Sequence, residues 1–433
     1  MRVQSTVRPL GLACAAALGA GSVLLSPAVP AQTIQQKVTP PIAVYWVSAE
    51  TNAGLAGMPG GGAGAGLLGG LLGGAMPGAS SGRTMLLQLG SSRSASGDPR
   101  AAHEIPTGMN MGPSLPLLTP RTPPREPRER SPEEPPENFE KPKGRMLIYW
   151  GCGEQTRAGQ PIIIDFAKIA AGQVPKFPSV RVQIARGPSF GGSRTYGEWP
   201  NVETKMSVPA SASLVGEHQV KGNYSPDIRF SVPDRVDFMP APAFQPVRRT
   251  TGGGMSVQWA AIPNATGYFM SSVGSNPRTE DMVLWSSSEI ADMGWAMQTY
   301  ISPPEVARLI RERVILPPAT TECTVPAEVI RQSETPMVMF AGYGDELNVV
   351  HPPRPTDPKI TWEQIYAVKV RQRTGAMLML AEGQGGAASG RGTPAAADGS
   401  APPAGQSTAP AAPTVTDVIK EGVGGVLRGL FGR

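Results

Sequence analysis

Gly187-Pro188-Ser189-Phe190-Gly191 matches G-x-S-x-G, the spacing that sets a nucleophilic serine on a sharp turn between a strand and a helix. A serine hydrolase at Ser189 would also need a base, and the chain offers three histidines, His103, His218 and His351. His218 or His351 would have to come beside Ser189. The residues after the motif, GSRTYGEW, read as a Gly-rich turn running into another strand, so hairpin chemistry already explains Pro188 and the glycines. None of the histidines is spaced with another His, Cys or carboxylate as metal ligands are, and no metal or other cofactor is expected. Two carboxylate pairs, Glu280-Asp281 and Asp345-Glu346, could flank a glycosidic bond, but both sit beside turn residues where acids are common. The Gly runs at 60–66 are not set between a strand and a helix, so they make no phosphate loop.

The seven tryptophans could form a binding surface instead. Trp46, Trp150 and Trp259 fall inside strand patterns and read as core. Trp199, Trp285, Trp295 and Trp362 lie nearer turns or strand ends. Exposure of Trp285, Trp295 and Trp362 along one groove would give rings for stacking on sugars or peptides, and so favour a carbohydrate-binding or carbohydrate-active protein. Of the three cysteines, Cys14 lies in the N-terminal apolar run, which leaves Cys152 and Cys323 as a pair able to bond in an oxidising compartment.

The elements that must position these groups are mostly strands. Ile42 to Ser48, Thr84 to Leu89, Arg145 to Gly151 and Ile162 to Phe166 are rich in β-branched, aromatic or aliphatic residues. Val180, Val182 and Ile184 alternate with Arg181 and Gln183 and predict one arm of a hairpin whose other arm is Ser193 to Trp199. Further strands are expected at Leu214 to Val220, Ile228 to Val232, Met255 to Trp259, Gly267 to Val273 and Met282 to Ser286. Four more are expected at Met337 to Ala341, Leu347 to Val350, Gln364 to Arg371 and Ala376 to Leu380. One helix is expected over 303–314. Ser302-Pro303-Pro304-Glu305 reads as a capping box, and Val306, Leu309, Ile310 and Val314 keep helical spacing. Tyr45-Trp46 and Tyr149-Trp150 open two similar runs, YWVSAETNAG and YWGCGEQTRAG. If these are related, the two strands are expected side by side.

Between Met255 and Val273 the chain alternates, turns at Pro263-Asn264 and resumes as a strand, with Trp259 ending one run and Tyr268 opening the next. Val257, Trp259, Pro263, Ala265, Gly267 and Tyr268 make this stretch resemble the fibronectin type III-like and immunoglobulin-like modules of bacterial exported proteins. The resemblance covers about twenty residues. It implies a sandwich fold and no chemistry.

Composition partitions the rest. Arg2 and Arg8, the apolar run Leu10 to Leu25 and Val29-Pro30-Ala31 have the order of a cleaved secretory signal over residues 1–31, with Gln32 as the expected new N-terminus. Its loss takes the formal net charge from +5 to +3, too little for a nucleic-acid footprint. The expected organisation is mainly β, with two sandwich-like domains. The first comprises 32–52, 83–119 and 146–202, interrupted by a Gly-rich insertion at 53–82 and a charged Pro-rich linker at 120–145. The second spans 203–380. Residues 381–414 hold no Val, Ile, Leu or aromatic residue and read as a disordered linker. In the last stretch, 415–433, Val418, Ile419, Val423, Val426, Leu427 and Leu430 fall on one face of an amphipathic helix, with Phe431 directly after them. The glycines there weaken the helix in water, so it is expected to order on a membrane or a partner. The function this predicts is non-enzymatic. The chain is an exported protein of the periplasm or outer envelope, or a secreted one, that binds or scaffolds other components, with an envelope protein or membrane surface as partner and no nucleic acid.

Overall fold

The structure is a computed structural model and describes residues 36–56, 81–120, 144–173, 176, 178–204, 206–334 and 336–380. In chain order the strands are β1 (Val38–Thr39), β2 (Ala43–Ala56), β3 (Ser81–Ser91), β4 (Ala101–Glu104), β5 (Ser114–Leu117), β6 (Arg145–Trp150), β7 (Ile162–Asp165), β8 (Thr195–Trp199) and β9 (Gly216–Gly222). They continue with β10 (Ser225–Val232), β11 (Arg248–Arg249), β12 (Met255–Gln258), β13 (Gly267–Asn276), β14 (Asp281–Ser286), β15 (Glu322–Val325), β16 (Met337–His351), β17 (Trp362–Glu363) and β18 (Tyr366–Met379). Helices are short: α1 (Phe166–Ala170), α2 (Pro303–Arg311) and α3 (Ala327–Gln332).

Nine strands form one large sheet in the order β7-β6-β14-β13-β16-β18-β2-β3-β8. Its centre is the antiparallel pair β13 and β16. Outward from β13 come β14 antiparallel, β6 parallel to β14, and β7 antiparallel. Outward from β16 come β18 antiparallel, β2 parallel to β18, and β3 antiparallel. The two sides repeat the same steps, so an approximate two-fold axis normal to the sheet passes between β13 and β16. The Tyr-Trp strands β2 and β6 occupy equivalent places on either side of this axis. The side-by-side placement expected from their sequences is not found, because four strands separate them. Tyr45 and Tyr149 nonetheless face the same side of the sheet, each in a core on that side.

Two smaller layers cover that side. The antiparallel sheet β10-β9-β4-β5 lies over β18, β2 and β3, and Tyr45, Val47, Leu87, Leu89, Val368 and Val370 fill the space between. The sheet β11-β12-β15, with α3, lies over β6, β14, β13 and β16. There Trp259, just after β12, meets Tyr268 of β13 edge to face at 5.6 Å, and both rings pack on Phe340 of β16. Each such side chain, fully buried, contributes about 1.5–3 kcal/mol. Cys152, just after β6, and Cys323 of β15 are joined by a disulfide with a Cα–Cα distance of 5.2 Å, so it links the large sheet to this second layer. On the opposite side of the large sheet α2 packs Val306 and Leu309 against Phe269, Ala341 and Tyr343.

Several sequence-based expectations need correction. Strands from both sides of residue 203 enter one sheet, so 32–202 and 203–380 do not fold as two separate sandwiches. The Gly-rich insertion is shorter than 53–82, because Ala53 already pairs with Ser81 across the β2–β3 hairpin. Val180 to Ile184 is not a strand. The Val180 and Gln183 N–H groups donate to the buried carboxylates of Asp292 (2.6 Å) and Glu305 (2.8 Å), which takes the donors a ladder would need. The partner of β8 is therefore β3. Glu305 is thereby diverted from the capping box, and Ser302 makes no side-chain cap bond. The helix stops at Arg311, and Arg313 turns left-handed at φ 61°. The four last strands are two. Gly344 and Gly375 look like breaks but lie at bulges where the ladder continues, and a Cβ on Gly344 would come within 2.8 Å of Met239 Sδ.

Candidate functional site

The signal-like segment 1–31, Cys14, the segments 57–80 and 121–143 and the amphipathic stretch 415–433 lie outside the described residues. Among the described ones, no helix is long and apolar enough to cross a membrane. The serine motif comes apart in space. Ser189 Oγ accepts from the Gly192 N–H at 3.1 Å within an exposed turn. His218 is buried under the four-stranded sheet and His351 stacks on Tyr366, so neither stands beside it as a base. Three of the four paired acids are held by cations. Asp281 is 2% exposed and receives two bonds from the Arg145 guanidinium, which hold its carboxyl below the usual range. Asp345 pairs with Arg235 and Glu346 with Lys369. Among the described residues no group of three or more His, Cys, Asp or Glu could hold a metal.

The proposed stacking rings do not form one surface. Trp285 is 1% exposed, and its Nε1–H donates to the Gly151 carbonyl at 2.9 Å. As a period-2 residue of a strand buried on both faces, it is core. Trp295 is 36% exposed in the short turn Trp295–Gln298. Trp362, in β17, donates to the Pro352 carbonyl, with the Arg354 guanidinium over its ring. Trp199, at the end of β8, is buried under the first layer.

A different constellation stands on the side of β18 away from the two small layers. Lys369, Arg371 and Arg373 project from alternate positions, as the pleat requires. Lys369 Nζ lies 2.8 Å from Glu346 Oε1, and Arg373 Nη2 lies 3.1 Å from Glu50 Oε1. Arg371, between them, has no carboxylate at ion-pair distance among the described residues. Its Cζ sits 4.6 Å from the Trp46 ring centre and 4.4 Å from that of Tyr300, and its Nε donates to Ser48 Oγ at 2.8 Å. Burial lowers its pKa, since the rings desolvate the guanidinium and supply no full negative charge. Ala185, Ser302 and Glu346 close a cavity of about 10 Å³ beside it, room for one water-sized acceptor. The stack is a packed device that joins β18, β2 and the Tyr300 segment.

The second buried polar group is a chain of three side chains. Tyr45 Oη lies 2.9 Å from His103 Nδ1, His103 Nε2 lies 2.9 Å from His218 Nδ1, and His218 Nε2 lies 2.7 Å from the Leu214 carbonyl. Phe230 stacks on the His218 ring at 4.8 Å. His103 is fully buried and His218 is 2% exposed, and desolvation lowers both pKa values. Sequence reading missed this pair because 115 residues separate the two histidines. It also missed the Arg371 stack, although the period-2 run of cations in Lys369-Val370-Arg371-Gln372-Arg373 marks a polar strand face.

No protein-family model matches the chain, and no curated protein matches it.

Proposed function

We propose that the chain is a non-enzymatic protein of the cell envelope, exported to the periplasm or outer envelope, that scaffolds other components by docking on a membrane surface or an envelope protein. The observation that carries this reading is where two Gly-rich segments attach. β2 ends at Ala56 and β3 resumes at Ser81, so residues 57–80 leave from the tip of that hairpin. Leu378 of the parallel neighbour β18 pairs with Ala56, so the segment from 381 onward leaves the same rim one strand away. The first segment contains GLLGGLLGG and no charge, and the second ends in VGGVLRGLFGR. Two segments that contain apolar runs and join the sheet at one rim suit attachment to an apolar surface better than either does alone. The Cys152–Cys323 bond suits an oxidising compartment. The immunoglobulin-like or fibronectin-like character of 255–273 belongs to the same reading, supported by the Trp259–Tyr268 contact between layers.

Flotation of the chain lacking residues 1–31 with vesicles of bacterial lipid composition tests it. Binding is expected for this chain, weaker binding for a form ending at Leu380, and none when residues 57–80 are also replaced by a Gly-Ser linker. Equal flotation of all three forms, or none by the longest, together with unchanged partners in envelope pull-downs, would overturn the proposal.

A further inference from the structure

His103 stands on β4 and His218 on its neighbour β9, and both rings point into the core shared with the large sheet. The hydrogens of the chain they form are set from its far end. A carbonyl oxygen only accepts, so His218 Nε2 carries a hydrogen for Leu214. In the neutral ring its Nδ1 is then an acceptor, and His103 Nε2 must donate to it. That leaves His103 Nδ1 as an acceptor for the Tyr45 hydroxyl. The chain runs one way, Tyr45 to His103 to His218 to Leu214, with both imidazoles neutral and every ring nitrogen used. A proton added to His218 Nδ1 would face the His103 N–H head on unless His103 gave up its Nε2 hydrogen and took one at Nδ1, towards the Tyr45 hydroxyl; with both rings charged the two N–H groups face each other in every tautomer. One added to His103 Nδ1 would face the Tyr45 O–H unless that hydroxyl turned away.

The surroundings offer no compensation. From β2 the group facing the pair is Tyr45 itself. The loop after β9 contributes Tyr224, buried and without a hydrogen-bond partner for its hydroxyl. On β9, Glu217 acts on His218 from a distance. Beneath Leu214, Asp237 accepts from the Leu214 N–H at 2.7 Å and so is already engaged. The phenol of Tyr366 on β18 is bonded to the Arg229 carbonyl, and β10 contributes only the Phe230 ring. An imidazolium here would be a buried cation without an anion, which is costly.

We propose that Tyr45, His103 and His218 form an acid-operated latch between the nine-stranded sheet and the four-stranded layer: proton uptake by the imidazole pair breaks the chain and releases that layer, while the disulfide-bearing layer stays closed. The sign comes from linkage. The folded pKa values are lowered, so both rings bind protons only after opening. The latch holds fully above the ordinary histidine pKa of about 6.5 and weakens as pH falls below it. With two protons taken up, the opening equilibrium gains about 100-fold per pH unit below that point, until the folded pKa values are reached.

Ring ¹⁵N spectra and amide exchange of the intact chain test this together, between pH 7.5 and 5. Both histidines are expected as neutral Nε2–H tautomers at pH 7.5. As pH falls, β9 and β10 amides should lose protection, after correction for intrinsic exchange, while those of β12 and β15 keep theirs. Replacing the whole chain, with Tyr45→Phe, His103→Leu and His218→Leu together, should abolish that pH dependence. If this variant does not fold, the spectra of the unsubstituted protein decide. An imidazolium titrating near pH 6.5 while β9 stays protected, or an Nδ1–H tautomer at either ring, would overturn the proposal.

Discussion

The two sides of the large sheet share strand directions and a Tyr-Trp strand, yet they are closed by different means. Over β18, β2 and β3 the covering layer is held by apolar packing around a polar chain, with Tyr45 donating to His103. Over β6, β14 and β13 it is held by an aromatic cluster on Phe340 and by the Cys152–Cys323 bond. The equivalent tyrosines show the difference most directly. The Tyr45 hydroxyl is fully enclosed, so it needs a partner. Tyr149 is also buried, at 4% exposed, but its hydroxyl lies near Glu328 and Arg331 of α3 and no hydrogen bond among the described residues depends on it. A buried polar group commits a core to one protonation state. A covalent link and aromatic packing do not. The same backbone plan can therefore carry one acid-sensitive layer and one indifferent to pH.

The largest effect is expected at Phe340, which touches Phe244, Trp259 and Tyr268. Phe340→Ala should cost about 3–5 kcal/mol by denaturant midpoint. The loss should be the same at pH 7.5 and pH 5.5, because no titrating group touches the ring except a phenol. A loss that grows at low pH would erase the contrast between the two layers. Next comes the disulfide. Cys152→Ala with Cys323→Ala frees a loop of 171 residues and should cost about 2–5 kcal/mol. Exchange should then rise in β12 and β15 and remain unchanged in β9 and β10. Equal loosening of both layers would show that they open as one unit.

How much of this was legible in the sequence depends on the range of the interaction. Most strands were, since their pattern survives in a single segment: the alternating Met255 to Trp259 and the apolar run Met282 to Ser286 lie close to the strands observed. The link between layers at Trp259 and Tyr268 was also legible, because nine residues and one turn separate the rings. The features that were missed are non-local. Glu305 fits a capping box by spacing, and only the folded chain reveals that Gln183 and Arg308 claim its oxygens. Gly344 and Gly375 look like strand ends because glycine usually weakens strands, whereas here they permit close packing and bulges. Trp285 lies near a strand end in sequence, which leaves its exposure open, but a strand with neighbours on both sides and layers above and below has no exposed position.

The smallest and sharpest comparison uses the two tyrosines. Tyr45→Phe removes one hydroxyl and leaves His103 Nδ1 as a buried acceptor without a donor. The penalty is the desolvation of that nitrogen, about 1–3 kcal/mol, and not merely the lost bond. Tyr149→Phe removes a hydroxyl on which no hydrogen bond among the described residues depends, so it strands no partner and the change should be smaller, about 0.5 kcal/mol. Both variants keep the ring and its packing, which makes the difference between them a measure of the polar chain alone. Because the closed layer starts from a lower stability, acid should open it at a higher pH in Tyr45→Phe and at an unchanged pH in Tyr149→Phe. Paired denaturant titrations at pH 7.5, 6.5 and 5.5 read both quantities. Equal costs at Tyr45 and Tyr149, with no shift of onset in either, would mean that the two sides of the sheet respond alike and that the histidine chain carries no special load.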